Sequence, residues 1–260
     1  MFSFFASEGP HIAIAPEKLF NIGGVTITNS MIYGWIVCTL IIVALIYGVK
    51  KITVNGSHGP AQILDFGVEF IHSTTANSLG TQERARKYTP YFATIFFFVL
   101  INNWMGLLPF VGKSFTYDGT ALLRPFTADF NGTLSMALVA IILVQVFAIK
   151  ESGSQQHLRH YFAGSLFNPL TYLIGLMEVF QEFTRLFSLA LRLFLNVVIG
   201  EILIAIFAYL GGALGFLTAV PFTLMEVFIG LLQAYIFVIL TVSYLSVALS
   251  HSHDSDEVSA

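Results

Sequence analysis

Residues Ser188–Glu201 read SLALRLFLNVVIGE, and the apolar run continues as ILIAIFAYL to Leu210. An arginine, an asparagine and a glutamate thus interrupt a segment that is otherwise hydrocarbon. A charge near the centre of a bilayer costs about 2.5–3.5 kcal/mol on insertion scales, so it needs a partner or a wet cavity. Arg192 and Asn196 are spaced i, i+4 and share a helical face. At about 100° and 1.5 Å per residue, Glu201 falls roughly opposite Arg192 and about 13.5 Å further along the axis. The two charges therefore face different neighbours, which is more than helix packing requires.

Composition agrees with a membrane setting. The chain has 260 residues, of which 56% are hydrophobic and 10% charged, whereas soluble domains carry about 25% charged residues. Mean hydropathy is +0.78. No phosphate loop, nucleophile elbow, paired CxxC or basic stripe occurs, so no cofactor, metal or nucleic acid is expected. Cys38 is the lone cysteine and reads as packing. His157 with His160, and His251 with His253, lack further ligands nearby and read as solvated loop residues. The first residues, MFSFFASEGP, carry no basic n-region of a secretory signal.

Outward from the opening stretch, hydropathy divides the chain into an all-α polytopic membrane protein. Five membrane-crossing helices and one interfacial amphipathic helix are expected, in a single membrane domain over 1–260. Residues 1–30 form an outer tail with at most a brief strand or turn. Met31–Val49 is the first span, close to the length a bilayer requires. Residues 61–80 place Ile63, Leu64, Gly67, Val68 and Ile71 on one stripe and predict a helix lying in the interface. Pro90–Leu108 and Gly132–Ile149 are the second and third spans, completing helices 1–4 over 31–168. Pro169–Leu210 and Leu217–Ser250 are too long to stand upright in a hydrocarbon layer of about 30 Å. They read as a long, strongly tilted hairpin over 169–250, turning at glycines, followed by a disordered acidic cytoplasmic tail, 251–260. Lys and Arg are concentrated in the loops after the first and third spans, which places the N-terminus outside and the C-terminus in the cytoplasm.

Glu178, Glu182, Arg185, Arg192 and Asn196 form a polar stripe along the fifth helix, because a seven-residue step drifts only about 20°. Glu226, Gln233 and Tyr244 form another on the last helix. In the hairpin Glu201 and Glu226 reach the same depth, and Gln233 approaches Arg192 or Asn196. Neither acid has a basic partner at its own depth, and burial disfavours a charged carboxyl. Facing carboxyls of this kind hold one proton between them. Asn102, Asn103 and Gln145 read as ordinary interhelical hydrogen bonders.

These residues carry a resemblance. SLALRLFLNVVIGE, followed by GLLQAYIFVILTVSYLSVAL, resembles subunit a of the F-type ATP synthase, and so do NNWMGLLPF and RPFTADFNGTLSMAL. The resemblance covers nearly all of the chain. It implies a non-catalytic stator subunit of a rotary enzyme complex, with no ATP site of its own. Two offset half-channels would carry protons to and from the carboxylates of a rotating c-ring. Arg192 would face that ring and prevent short-circuit, with Asn196 and Gln233 beside it. Glu201, Glu226 and Asp129 would line the outer half-channel, and Glu178 and Glu182 the inner one. Implied partners are the c-ring, the peripheral stalk b subunits, the rest of the synthase and the bilayer of a bacterial plasma membrane. The chain departs from the family at Leu195, usually a small residue, and in having acids at both 201 and 226. Rival readings are a secondary ion transporter, against which no internal repeat is found, and a structural membrane anchor.

Overall fold

The structure, a computed structural model, describes residues 16–22, 25–51, 60–108, 111–117, 120–152 and 169–257. The elements are β1 (Lys18–Ile22), β2 (Val25–Thr28), α1 (Asn29–Lys51), α2 (Pro60–Leu79), α3 (Gln82–Gly106), β3 (Gly112–Tyr117), β4 (Thr120–Leu123), a 3-10 turn (Phe126–Ala128), α4 (Phe130–Ser152), α5 (Pro169–Leu210), a second 3-10 turn (Gly212–Leu214) and α6 (Gly215–Glu257). Helices dominate because a chain in hydrocarbon must satisfy every backbone N–H and C=O internally. Four stretches among the described residues are long and apolar enough to cross a membrane: Asn29–Tyr47, Phe130–Glu151, Gly175–Leu210 and Gly212–Leu249. The expected second span is helical as α3 but is not among those four. It opens on the charged residues Glu83, Arg84, Arg86 and Lys87 and closes on Asn102-Asn103, which leaves a short apolar middle.

Three further expectations change. The loop after α3 folds into an antiparallel hairpin, β3 with β4, and the two strands before α1 form another, β1 with β2. The acidic tail is helical as far as Glu257, continuing the backbone pattern of α6 instead of fraying after Ser250. The loop that holds His157 and His160 lies outside the described residues, as do residues 1–15.

The chain forms two compact units. The first comprises Met1–Lys50, Phe97–Thr133 and Leu191–Tyr235. Its core gathers Tyr33, Val37 and Ile41 of α1 against Phe98, Ile101 and Met105 of α3, Leu123 at the end of β4 and Phe126 of the 3-10 turn. A smaller cluster joins Ala128 to Val197 and Val198 of α5. At the turn between α5 and α6, the Thr218 hydroxyl donates to the Phe207 carbonyl at 2.7 Å. Phe207 and Phe222 stack with centroids 3.7 Å apart, closing the hairpin.

The second unit comprises Lys51–Phe96, Leu134–Ala190 and Ile236–Ala260. There α2 buries Ile71, Thr75, Ala76 and Leu79 and leaves Ile63 and Phe66 exposed, an amphipathic division. Its His72 pairs with Thr89 of α3 at 2.9 Å. Glu151, at the end of α4, accepts from the Tyr88 hydroxyl at 2.6 Å and from Lys87.

A tight backbone approach in the first unit lies at the start of α4. A Cβ on Gly132 would fall 2.4 Å from the Phe126 carbonyl oxygen, which is backbone and cannot swing away. Gly132→Ala is expected to destabilise this unit by about 1–3 kcal/mol, as overpacking does. A thermal melt of the detergent-purified protein checks it, and an unchanged midpoint would refute the contact.

Candidate functional site

The end of α5 and the start of α6 belong to the first unit, together with Arg124 and Asp129. Glu226 of α6 is 6% exposed. Its carboxyl rests on the α5 backbone at Gly200, where an added Cβ would lie 2.2 Å from the carboxyl carbon and within 2.5 Å of both oxygens. Glycine at 200 is therefore what admits the acid. Glu201, the next residue, is partly buried. It is repelled by Glu226 and attracted by Arg124, and Tyr33 of α1 lies within its electrostatic reach.

Arg124 corrects, for Glu201, the expectation that the two acids lack a basic partner at their depth. It follows β4, is 8% exposed, and donates from Nη2 to the Ala128 carbonyl at 3.0 Å. The cation arrives from a loop and not from the hairpin helices. Asp129 is also buried. Its Oδ2 accepts from the Ser30 hydroxyl at 2.6 Å, and its Oδ1 accepts from the Asn131 N–H at 3.0 Å. The latter is an N-cap for α4, so Asp129 also ties the start of α1 to the start of α4.

Polar atoms are concentrated in this unit. Among the described residues, Tyr33 Oη, Asn102 Oδ1, Asn103 Oδ1, Thr127 Oγ1, Asn196 Nδ2 and Gln233 Nε2 are buried without a hydrogen-bond partner. A buried polar atom left bare costs about 1–3 kcal/mol, and such groups are ordinarily satisfied by water. These polar atoms and the two acids belong to the same unit. Two α3 residues there grip α6. Asn103 donates to the Gly230 carbonyl at 3.4 Å, and Trp104 Nε1 to that of Val227 at 3.0 Å.

Arg192 is the opposite case. It is exposed and makes no hydrogen bond or ion pair among the described residues. Leu191, Leu195 and Ile199 are exposed on the same helix. Asn196 is partly buried and Gln233 is 5% exposed. No hydrogen bond joins Gln233 to Arg192 or Asn196 among the described residues, so the approach expected from the hairpin is not made through one.

In the second unit, Glu182 and Arg185 form an ion pair at 2.7 Å, and the guanidinium lies 4.9 Å from the centre of the Tyr244 ring. Glu178 is on α5; its side chain lies outside the described residues.

Helices carrying acids and arginines within apolar runs mark an integral membrane protein with an ionic task. The family model for the ATP synthase A chain matches residues 31–246, and the chain belongs to that family. It is 31% identical over 267 aligned positions to "ATP synthase subunit a 2" of Chlorobaculum tepidum, covering 96% of this chain and 70% of that one. To "ATP synthase subunit a" of Moorella thermoacetica it is 28% identical, over 90% of this chain and 96% of that one. The protein of that name from Enterococcus faecalis is 29% identical, over 93% and 98% respectively.

Residue-type reasoning missed Gly200, Arg124 and Tyr33. A glycine in an apolar run reads as packing, and an arginine in a polar loop reads as solvated. Only tertiary contact reveals either as part of the site. Gly200→Ala is expected to cost about 1–3 kcal/mol by overpacking. Adding Glu226→Asp, which withdraws the carboxyl by one methylene, recovers most of that loss in a thermal melt. Equal melting of the single and double variants would contradict the fit.

Proposed function

We propose that this chain is the stator ion-channel subunit of a rotary F-type ATP synthase in a bacterial plasma membrane, N-terminus outside and C-terminus cytoplasmic. Its partners are the c-ring rotor, the peripheral stalk b subunits and the surrounding lipid. The chain performs no ATP chemistry; it moves the ion that drives or is driven by it. Membership of the family supports this reading. The observation that carries it is Arg192, an exposed cation on an apolar helix with no hydrogen bond or ion pair among the described residues. In lipid that placement is costly; against a carboxylate on another membrane protein it becomes attractive.

In this mechanism the proton comes from outside through the polar residues of the first unit to Glu201 and Glu226. Asp129 holds the loop that brings Arg124 to the same place. From the acids the proton passes to a rotor carboxylate and neutralises it, which lets that carboxylate enter lipid. A rotor carboxylate returning from lipid releases its proton toward the cytoplasm by way of Glu178. The ionised group is then held by Arg192, with Asn196 and Gln233 beside it. The fixed guanidinium favours the ionised rotor group and repels protons, so the two half-channels do not leak into one another.

The test is ATP-driven acidification of inverted vesicles carrying Arg192→Ala, with assembly checked by co-purification of the catalytic head and rotor. Pumping is expected to vanish in an assembled complex. Pumping at the original rate would overturn the assignment. Glu226→Gln removes one member of the acid pair and is expected to shift the pH profile of pumping. A superimposable profile would show that the two acids do not share a proton.

A further inference from the structure

Two arginines stand seven residues apart on α5, and their surroundings differ. Arg192 is exposed and makes no contact of its own among the described residues. Arg185 is doubly engaged: its Nη1 donates to Glu182 Oε1 at 2.7 Å, and its guanidinium lies 4.9 Å from the Tyr244 ring centre. The pair is largely shielded, with the Arg185 and Glu182 side chains 18% and 25% exposed. A seven-residue step returns a helix nearly to the same face, with about 20° of drift. Arg185 therefore belongs to the same stripe of α5 as Arg192, two turns earlier. Left free, it would offer a passing carboxylate a second point of attraction.

We propose that Glu182 and Tyr244 are positioning residues that sequester the charge of Arg185, so that Arg192 alone engages the rotor carboxylate. This rests on the stator reading above, and it gives Glu182 a task other than relaying protons. An i, i+3 ion pair brings the anion to the guanidinium from the same helix, and the aromatic face of Tyr244 adds a cation–π contact from α6. Neither group has to change protonation to act. The combination neutralises Arg185 locally while leaving its side chain to fill the space between α5 and α6 in this unit. A proton relay would instead need a carboxyl free to exchange its partner, and Glu182 already holds one.

The charge hypothesis separates from a relay and from simple packing in one set of variants, measured as ATP-driven acidification by assembled complexes in inverted vesicles. Glu182→Gln frees Arg185 and is expected to slow pumping about tenfold. Glu182→Gln with Arg185→Gln removes the stray charge and returns pumping to within about twofold of the original. Glu182→Gln with Arg185→Lys also lacks the ion pair but keeps the charge, and remains slow. A relay would leave both double variants as slow as Glu182→Gln, and a packing role would make the two doubles equal; either result overturns the proposal. So does Glu182→Gln pumping at the original rate. Tyr244→Leu provides a second approach if Glu182→Gln does not assemble. It is expected to slow pumping about threefold, an effect that disappears in an Arg185→Gln background. Persistence of the defect there refutes the proposal. Since Arg192→Ala is read separately, failure here leaves the stator assignment standing.

Discussion

A charged group within hydrocarbon must be compensated, and the membrane part of this chain is arranged around how each of its charges meets that demand. The acids on the hairpin meet it by burial among polar atoms: Glu226 against the bare backbone of Gly200, and Glu201 within reach of the Arg124 cation. Arg185 meets it with an ion pair on its own helix. Arg192, exposed on α5, makes no hydrogen bond or ion pair among the described residues. Sorted in this way, charges that look alike in sequence acquire different tasks.

The loop between α3 and α4 has more consequence than its polarity suggests. Ser30 reaches across 99 positions of sequence to Asp129, and Asp129 begins α4 through the Asn131 N–H. Arg124 returns to the Ala128 carbonyl within the same short segment. A non-helical piece of chain is tolerated next to a membrane interior only where its backbone groups find partners, and here side chains supply several of them. The same bonds that make the loop admissible also hold its arginine near the buried acids.

Much of this was legible in the sequence. Helix positions follow from apolar runs bounded by charges and prolines, and the amphipathic helix expected over 61–80 is Pro60–Leu79. The long fifth helix was readable because no breaker interrupts residues 169–210, the bounds it adopts. The β3–β4 hairpin had a signal, Asp118-Gly119 between two short runs, which is a common hairpin turn dipeptide. Within the site, residues of unusual type for their surroundings stood out: Arg192, Glu201, Glu226 and Gln233. What did not stand out were residues ordinary in their local setting and decisive only in contact. Gly200 is one of several glycines in apolar runs, and Arg124 is one of several basic residues in loops. Glu182 was visible as an acid, but not the neighbour that occupies it.

Trp104 and Asn103 have a mechanical meaning. Their side chains bond the carbonyls of Val227 and Gly230, which lie one turn apart on the same face of α6. A Cβ on Gly230 would sit 3.3 Å from Asn103 Cβ and 3.5 Å from Trp104 Cδ1, so the helices touch with little slack. Two bonded points separated along an axis resist twist, whereas one would act as a pivot. Clamped at these two points, this part of α6 is held stiffly in register with α3.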